Sequence, residues 1–214
     1  MKKLIRLSAT ATLFSLLLQN SAFSSEFQQG IHFKEIIPAI ETSAPSDKVE
    51  VLELFWYGCP HCYEFEAFIA KWAEKKNDNI HFRRVPAVFN DQWKLHAKAF
   101  YAAIDLGEIS NTHFSLFKAM HVDKRQIFSK AEIEDFFYER GVKQNDFKKS
   151  FTSFSVETEA RKALNLTVKS KINGVPAMII NGKYSTTSSQ SGGYERMLQL
   201  VDLLVNRELA NRNK

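Results

Sequence analysis

The only two cysteines of the 214-residue chain stand two residues apart, in Cys59-Pro60-His61-Cys62. That spacing lets the two sulfurs close a small disulfide, and lets an external thiolate open it again. A strand-like segment, residues 49–57 (VEVLELFWY), runs into the motif and helical periodicity follows it. Cys59 therefore falls at a helix N-terminus, where unpaired N–H groups and the dipole favour an anion and a lowered thiol pKa. Pro60 suits the first helical position, because no hydrogen-bond donor is lost there. His61, protonated or donating a hydrogen bond, adds to the stabilisation of a Cys59 thiolate. Cys62 lies one turn in, less exposed, and is placed to attack a mixed disulfide formed at Cys59.

Other uses of the motif have different requirements. A structural disulfide remains an alternative, although so short a loop removes little unfolded-state entropy. Zinc needs a fourth ligand besides Cys59, His61 and Cys62, and three ligands within four residues are awkward for a tetrahedral site. Haem attachment of the c type needs His directly after the second Cys, where this sequence has Tyr63. No metal and no separate cofactor is expected; the redox group is the Cys59–Cys62 pair itself.

The compartment decides what the pair does. Lys2, Lys3 and Arg6 precede an uncharged apolar stretch from Leu7 to Leu18, and Ala22-Phe23-Ser24 supplies small residues for cleavage. This reads as a secretory signal peptide, residues 1–24, too short in its apolar part to span a bilayer. Without those three cations, 29 basic residues become 26 against 24 acidic ones, and the net charge falls from +5 to +2. The basic balance belongs partly to the leader, so no nucleic-acid partner is inferred. An exported thiol pair can sit oxidised, as a staple or as a working disulfide.

The elements that must position the motif follow from pattern. Residues 26–48 read as an N-terminal strand and loop, and 49–57 as a strand. The helix from Cys59-Pro60 carries Phe65, Phe68, Ile69 and Trp72 on one face, and residues 80–85 (IHFRRV) form a second strand stopped by Pro86. Ten of the eighteen phenylalanines then fall between residues 89 and 166. Helical stripes run through Trp93, Ala97, Phe100 and Ile104, and through Phe114, Phe117 and Met120. Ser129 with Glu132 is a capping box ahead of Ile133, Phe136 and Phe137, closed by Gly141. Phe147, Phe151 and Phe154 continue in another helical segment, with one more from Val156 to Leu166. These rings make a helical core. Strand character returns in residues 175–180 (VPAMII), then the hairpin signal Asn181-Gly182, a strand over 183–187, a polar loop over 188–193 and a final helix using Met197, Leu200, Val201 and Leu204. The order is that of an α/β sheet with an all-helical insertion.

Residues 55–66 (FWYGCPHCYEFE) and 174–184 (GVPAMIINGKY) closely resemble the DsbA family of bacterial periplasmic thiol–disulfide oxidases, and the likeness extends over the chain beyond the leader. The resemblance implies a thioredoxin-like fold, residues 25–88 and 167–214, interrupted by a helical domain over 89–166. It makes Cys59 the nucleophile and Cys62 its buried partner, with His61 tuning the thiolate. Val175-Pro176 matches the family's cis-proline loop, which lies against the cysteines and presents backbone to substrate. Val before that proline resembles the oxidase branch, whereas Thr is typical of the related dimeric isomerases, whose N-terminal dimerisation domain the chain lacks; a monomer is expected. The implied partners are exported proteins with free thiols and a quinone-linked membrane reoxidant of the DsbB type.

Glu53 shares a strand face with Val49, Val51 and Phe55 by period two, which places an acid among apolar neighbours, where carboxyls titrate high. The family implies proton exchange between such an acid and the inner cysteine; a half-exposed, solvated Glu53 is the alternative. Arg84, on the next strand, is the candidate partner for Glu53. His32, His81, His96, His113 and His121 show no ligand spacing and read as structural or surface residues. A thiolate stabilised in the reduced enzyme makes its disulfide readily given away, which favours an oxidase.

Overall fold

The structure, a computed structural model, describes residues 27–212. The signal peptide read at residues 1–24 lies outside them. Five strands form one mixed sheet: β1 (Lys34–Glu35), β2 (Val49–Phe55), β3 (Ile80–Pro86), β4 (Ala177–Ile180) and β5 (Tyr184–Thr187), in the order β1-β5-β4-β2-β3. β2 pairs in parallel with β3 and antiparallel with β4, and is buried along all seven residues.

Both faces of β2 are covered, and its alternation sorts the cover. Val49 and Val51 pack with Phe65 and Ile69 of α1 (Pro60–Lys75) and with Met197, Leu200, Val201 and Leu204 of α8 (Tyr194–Arg212). Leu52 and Leu54 face the other way, toward Ala97 of α2 (Asp91–Asp105) and Ala160 and Ala163 of α6 (Phe154–Ser170). A β2 strand apolar on both sides except at Glu50 and Glu53 suits such a sandwiched position.

Between β3 and β4 the chain forms α2, α3 (Ile109–His121), α4 (Lys130–Tyr138), α5 (Gln144–Phe151) and α6. Phe100, Phe117, Phe136, Phe137, Phe147 and Phe151 build their core, and Phe55 and Tyr57 join it from the end of β2. Ser129 and Glu132 form both halves of the capping box that opens α4. The Asn181-Gly182 hairpin forms with both residues left-handed, φ 50° and 65°. Among the described residues, no helix is long and apolar enough to cross a membrane.

Some expectations fail locally. Ile104 and Phe114 are 48% and 52% exposed, so neither belongs to its stripe. Phe154 is 81% exposed and opens α6 after the Ser153 cap, instead of continuing α5. α6 runs to Ser170, past Leu166. Residues 188–191 of the expected polar loop form a helical turn, α7 (Ser188–Ser191), capped by Thr187. The periodicity of an aromatic does not distinguish a core ring from one lying on the surface beside it.

Candidate active site

Cys59 caps the N-terminus of α1 with an extended backbone, φ −92° and ψ 116°, and Pro60 occupies the first turn. Its carbonyl accepts from the backbone N–H groups of Cys62 and Tyr63 at 3.1 and 3.2 Å. Trp56 folds back over the turn and stacks on Trp93, with centroids 4.2 Å apart and planes 6° from parallel. A Cβ on Gly58 would lie 2.4 Å from the Trp56 ring, so the turn into the motif needs glycine at that place. His121 of α3 holds the same turn from the opposite side, donating from Nε2 to the Tyr57 carbonyl at 2.7 Å.

The two thiols are free and unequal. Cys59 is partly exposed and its pKa is lowered to about 6, chiefly by the hydrogen bond from the Cys62 thiol. The backbone N–H groups of Cys62 and His61, and the His61 charge, act in the same direction against partial burial. Cys62 is fully buried, and burial first, then its bond to Cys59, push its thiol well up. The sulfur that needs to be reached is the acidic one, and the sulfur behind it holds its proton.

Val175-Pro176 is a cis peptide, and the Cys59 thiol donates to the Val175 carbonyl at 3.4 Å. A groove of about 510 Å³ opens beside it, lined by His61, Glu64, Val175, Pro176, Ser189 and Tyr194 among others. His61 points into solvent, its side chain 69% exposed, with Nδ1 3.4 Å from Glu64 Oε2. Tyr194 donates to that carboxylate at 2.9 Å and to the His61 carbonyl at 3.1 Å. The hydrogen bond from Tyr194, then that from His61, hold Glu64 below the ordinary carboxylate range.

Beneath the cysteines lies a buried charge cluster. Glu53 is fully buried, not solvated, and faces Arg84 as its register partner on β3, with Arg84 Nε 3.1 Å from Glu53 Oε2. Burial, then the charge of Glu66, raise the Glu53 pKa to about 8 against the opposing pull of Arg84. Arg84 also donates to Glu66 Oε2 at 3.2 Å. Glu66 continues to His113, whose Nε2 lies 3.2 Å from Oε1, and His113 Nδ1 lies 2.9 Å from the Tyr57 hydroxyl.

The structure thus gathers Cys59, Pro60, His61, Cys62, Val175 and Pro176 at one edge, and Glu53 with Arg84 below them. Glu66 and His113 were not singled out from the sequence as site residues, yet each carried a signal. Cys62, Phe65, Glu66 and Ile69 are the buried positions of α1, the i, i+3, i+4, i+7 stripe itself, with an acid inside it. On α3 the buried stripe is His113, Leu116, Phe117 and Met120. Among the described residues, no group of histidine, cysteine and acidic side chains could hold a metal.

The DSBA-like thioredoxin domain family matches residues 50–205. The chain is 36% identical over 211 residues to the thiol:disulfide interchange protein DsbA of Azotobacter vinelandii, spanning 97% of this chain and 98% of that one. Its identity to the DsbA of Pseudomonas aeruginosa is 35% over 206 residues, 96% and 95% of the two chains. The crystal structure of the Pseudomonas aeruginosa protein aligns with a TM-score of 0.84, covering 89% of this chain and 99% of that one. The chain's thiol pair, cis proline and helical insertion are those of an oxidoreductase with a thioredoxin-like fold, and it belongs to the DsbA family of thiol:disulfide interchange proteins.

Proposed function

We propose that this protein is a dithiol oxidase of the periplasm, exported by cleavage of residues 1–24, which donates the Cys59–Cys62 disulfide to exported proteins with free thiols. The inequality of the two sulfurs carries the reading. A substrate thiolate attacks Cys59 Sγ, the Cys59–Cys62 bond breaks, and its electron pair leaves on Cys62. Cys62, whose thiol holds its proton strongly, takes a proton from Glu53, with Arg84 as the counterion of the cluster. A second substrate thiolate attacks the substrate sulfur of the mixed disulfide and expels Cys59 as a thiolate. The substrate has lost two electrons and the enzyme has gained them. Val175 and Pro176 offer the backbone edge along which the substrate chain lies, and His61 faces the same groove.

The direction follows from which state is stabilised. With Cys59 lowered to about 6, most of it is ionised at pH 7, and the thiolate favours the reduced form. Reoxidation falls to a quinone-linked membrane protein of the DsbB type. The protein acts as a monomer and needs no metal or cofactor beyond the disulfide.

Equilibration of the purified protein with glutathione mixtures tests the reading. A potential more oxidising than about −180 mV, the value of protein disulfide isomerase, supports the oxidase. A value near the thioredoxin figure of about −270 mV makes it a reductase. Full biological activity in Cys59→Ser would make it a chaperone instead.

A further inference from the structure

The buried cluster contains two carboxylates and one guanidinium, so the charge of Arg84 cannot neutralise both. Glu53 touches it through Nε at 3.1 Å, and Glu66 through the terminal nitrogen at 3.2 Å. The geometry around Glu66 decides between them. Its other oxygen faces His113 Nε2 at 3.2 Å. An ionised Glu66 only accepts, so His113 carries its proton on Nε2, leaving Nδ1 to accept from the Tyr57 hydroxyl at 2.9 Å. Every link then has a donor and an acceptor: Tyr57 to His113, His113 to Glu66, Arg84 to Glu66. Glu53 has no such support, since neither of its oxygens makes an aligned hydrogen bond.

We propose that His113 is a positioning residue for proton transfer at Cys62: by holding Glu66 as the anion that takes up the charge of Arg84, it leaves Glu53 to carry the proton. This rests on the reading of Glu53 as the group that exchanges a proton with Cys62. When the disulfide opens, Cys62 leaves with the electron pair of the S–S bond, the Glu53 proton moves to it, and the Glu53 carboxylate recovers a proton from solvent. The titratable and charged groups around Glu53 are Arg84 from β3, Glu66 and Cys62 from α1, and Tyr57 in the turn between β2 and α1. β4 presents Met178 as its register partner there. His113, from α3, faces Glu66, Tyr57 and Arg84 within a shell of the Phe55, Phe100 and Phe117 rings. That dry surround keeps the imidazole neutral, and burial lowers its pKa accordingly.

Two readouts test this in the full protein. The first is the Glu53 carboxyl titration in the reduced protein, followed by carbon-13 NMR. His113→Leu removes the donor to Glu66, and Glu66→Gln removes the competing anion. Each releases Arg84 to Glu53 and lowers the Glu53 midpoint by about one pH unit or more. His113→Gln, which keeps an N–H within reach of Glu66, retains the wild-type midpoint. The second readout is the rate at which dithiothreitol reduces the disulfide, expressed per dithiothreitol thiolate, across the same pH range. In the wild type this rate falls as Glu53 loses its proton, and in His113→Leu the fall moves down with the carboxyl. An unmoved Glu53 midpoint in His113→Leu overturns the proposal, whatever Glu66→Gln shows; if His113→Leu does not fold, His113→Phe, which fills the same space without a donor to Glu66, decides it in its place. A Glu53→Gln variant that keeps the pH-dependent fall in rate sinks the proton-transfer reading instead, whatever the carboxyl titration shows.

Discussion

The Cys59 sulfur and the carbonyl oxygen of Val175, 116 residues apart in the chain, meet at 3.4 Å with the thiol as donor. A thiolate has no proton to give, so this bond exists only while Cys59 is protonated. Ionisation breaks it and frees the carbonyl in front of Pro176 to accept from a substrate backbone N–H. In the reduced protein the Val175 carbonyl carbon-13 shift is therefore expected to titrate with a midpoint of about 6, the value for Cys59. A shift that stays flat between about pH 4 and pH 8 would show that the sulfur and the loop are not coupled.

The causes that acidify Cys59 are ranked, and the ranking can be checked. The Cys62 thiol contributes more than the backbone N–H groups, and the His61 charge contributes least. Cys62→Ala should then raise the Cys59 pKa more than His61→Ala does, while Cys62→Ser, which keeps a donor, should stay nearer the wild type. Thiolate absorbance near 240 nm against pH reads all three. A larger rise in His61→Ala than in Cys62→Ala would reverse the assignment and make the histidine charge the dominant influence.

The same thiolate links redox state to stability. A depressed pKa contributes stability that is fully present above the unfolded thiol value and is lost as pH falls through the folded one. For Cys59 the window runs from about 9 down to about 6. The disulfide form has no such group, so the reduced protein's advantage over the oxidised one should shrink steadily between those values and stop changing below about pH 5. Thermal unfolding of the two redox forms at matched pH measures it. An advantage that grows on acidification would mean that the thiolate is not what stabilises the reduced state.

How far the site could be read from sequence depended on whether a residue's role is local. Cys59, Pro60 and Cys62 declare themselves, because a helix start, a proline at its first turn and a two-residue spacing are all local facts. The Asn181-Gly182 hairpin and the Ser129–Glu132 capping box are legible for the same reason, and both form as expected. Glu53 could be placed on an apolar face, but its burial depends on helices packed against both faces of β2. Its pairing with Arg84 depends on β2 and β3 lying in parallel register, which no local pattern specifies. Glu66 and His113 were harder still. Each is a polar residue on a buried helical stripe, and what satisfies one is the other, 47 residues away. Phe114 shows the reverse error: its spacing suits the core, yet it lies outside, stacked on Tyr63 with centroids 6.0 Å apart.

That distinction between core and surface rings is itself testable, using Phe55 and Phe154. Phe55 ends β2 with no exposed surface, and its ring meets Tyr57, Phe100 and His113 edge-on at 5.1, 5.3 and 5.2 Å. It joins the sheet to the helical core directly behind the active-site turn. Truncation there leaves a cavity that the surrounding rings cannot fill, so Phe55→Ala should cost about 3–5 kcal/mol. Phe154, 81% exposed at the start of α6, should tolerate the same change within about 0.5 kcal/mol. Urea unfolding of the reduced forms compares the two, with unchanged slopes required for the midpoints to be read as stability. A Phe154→Ala loss as large as that of Phe55→Ala would mean that α6 is anchored through its exposed N-terminal ring, and that the buried core behind the cysteines is not what holds the helical layer to the sheet.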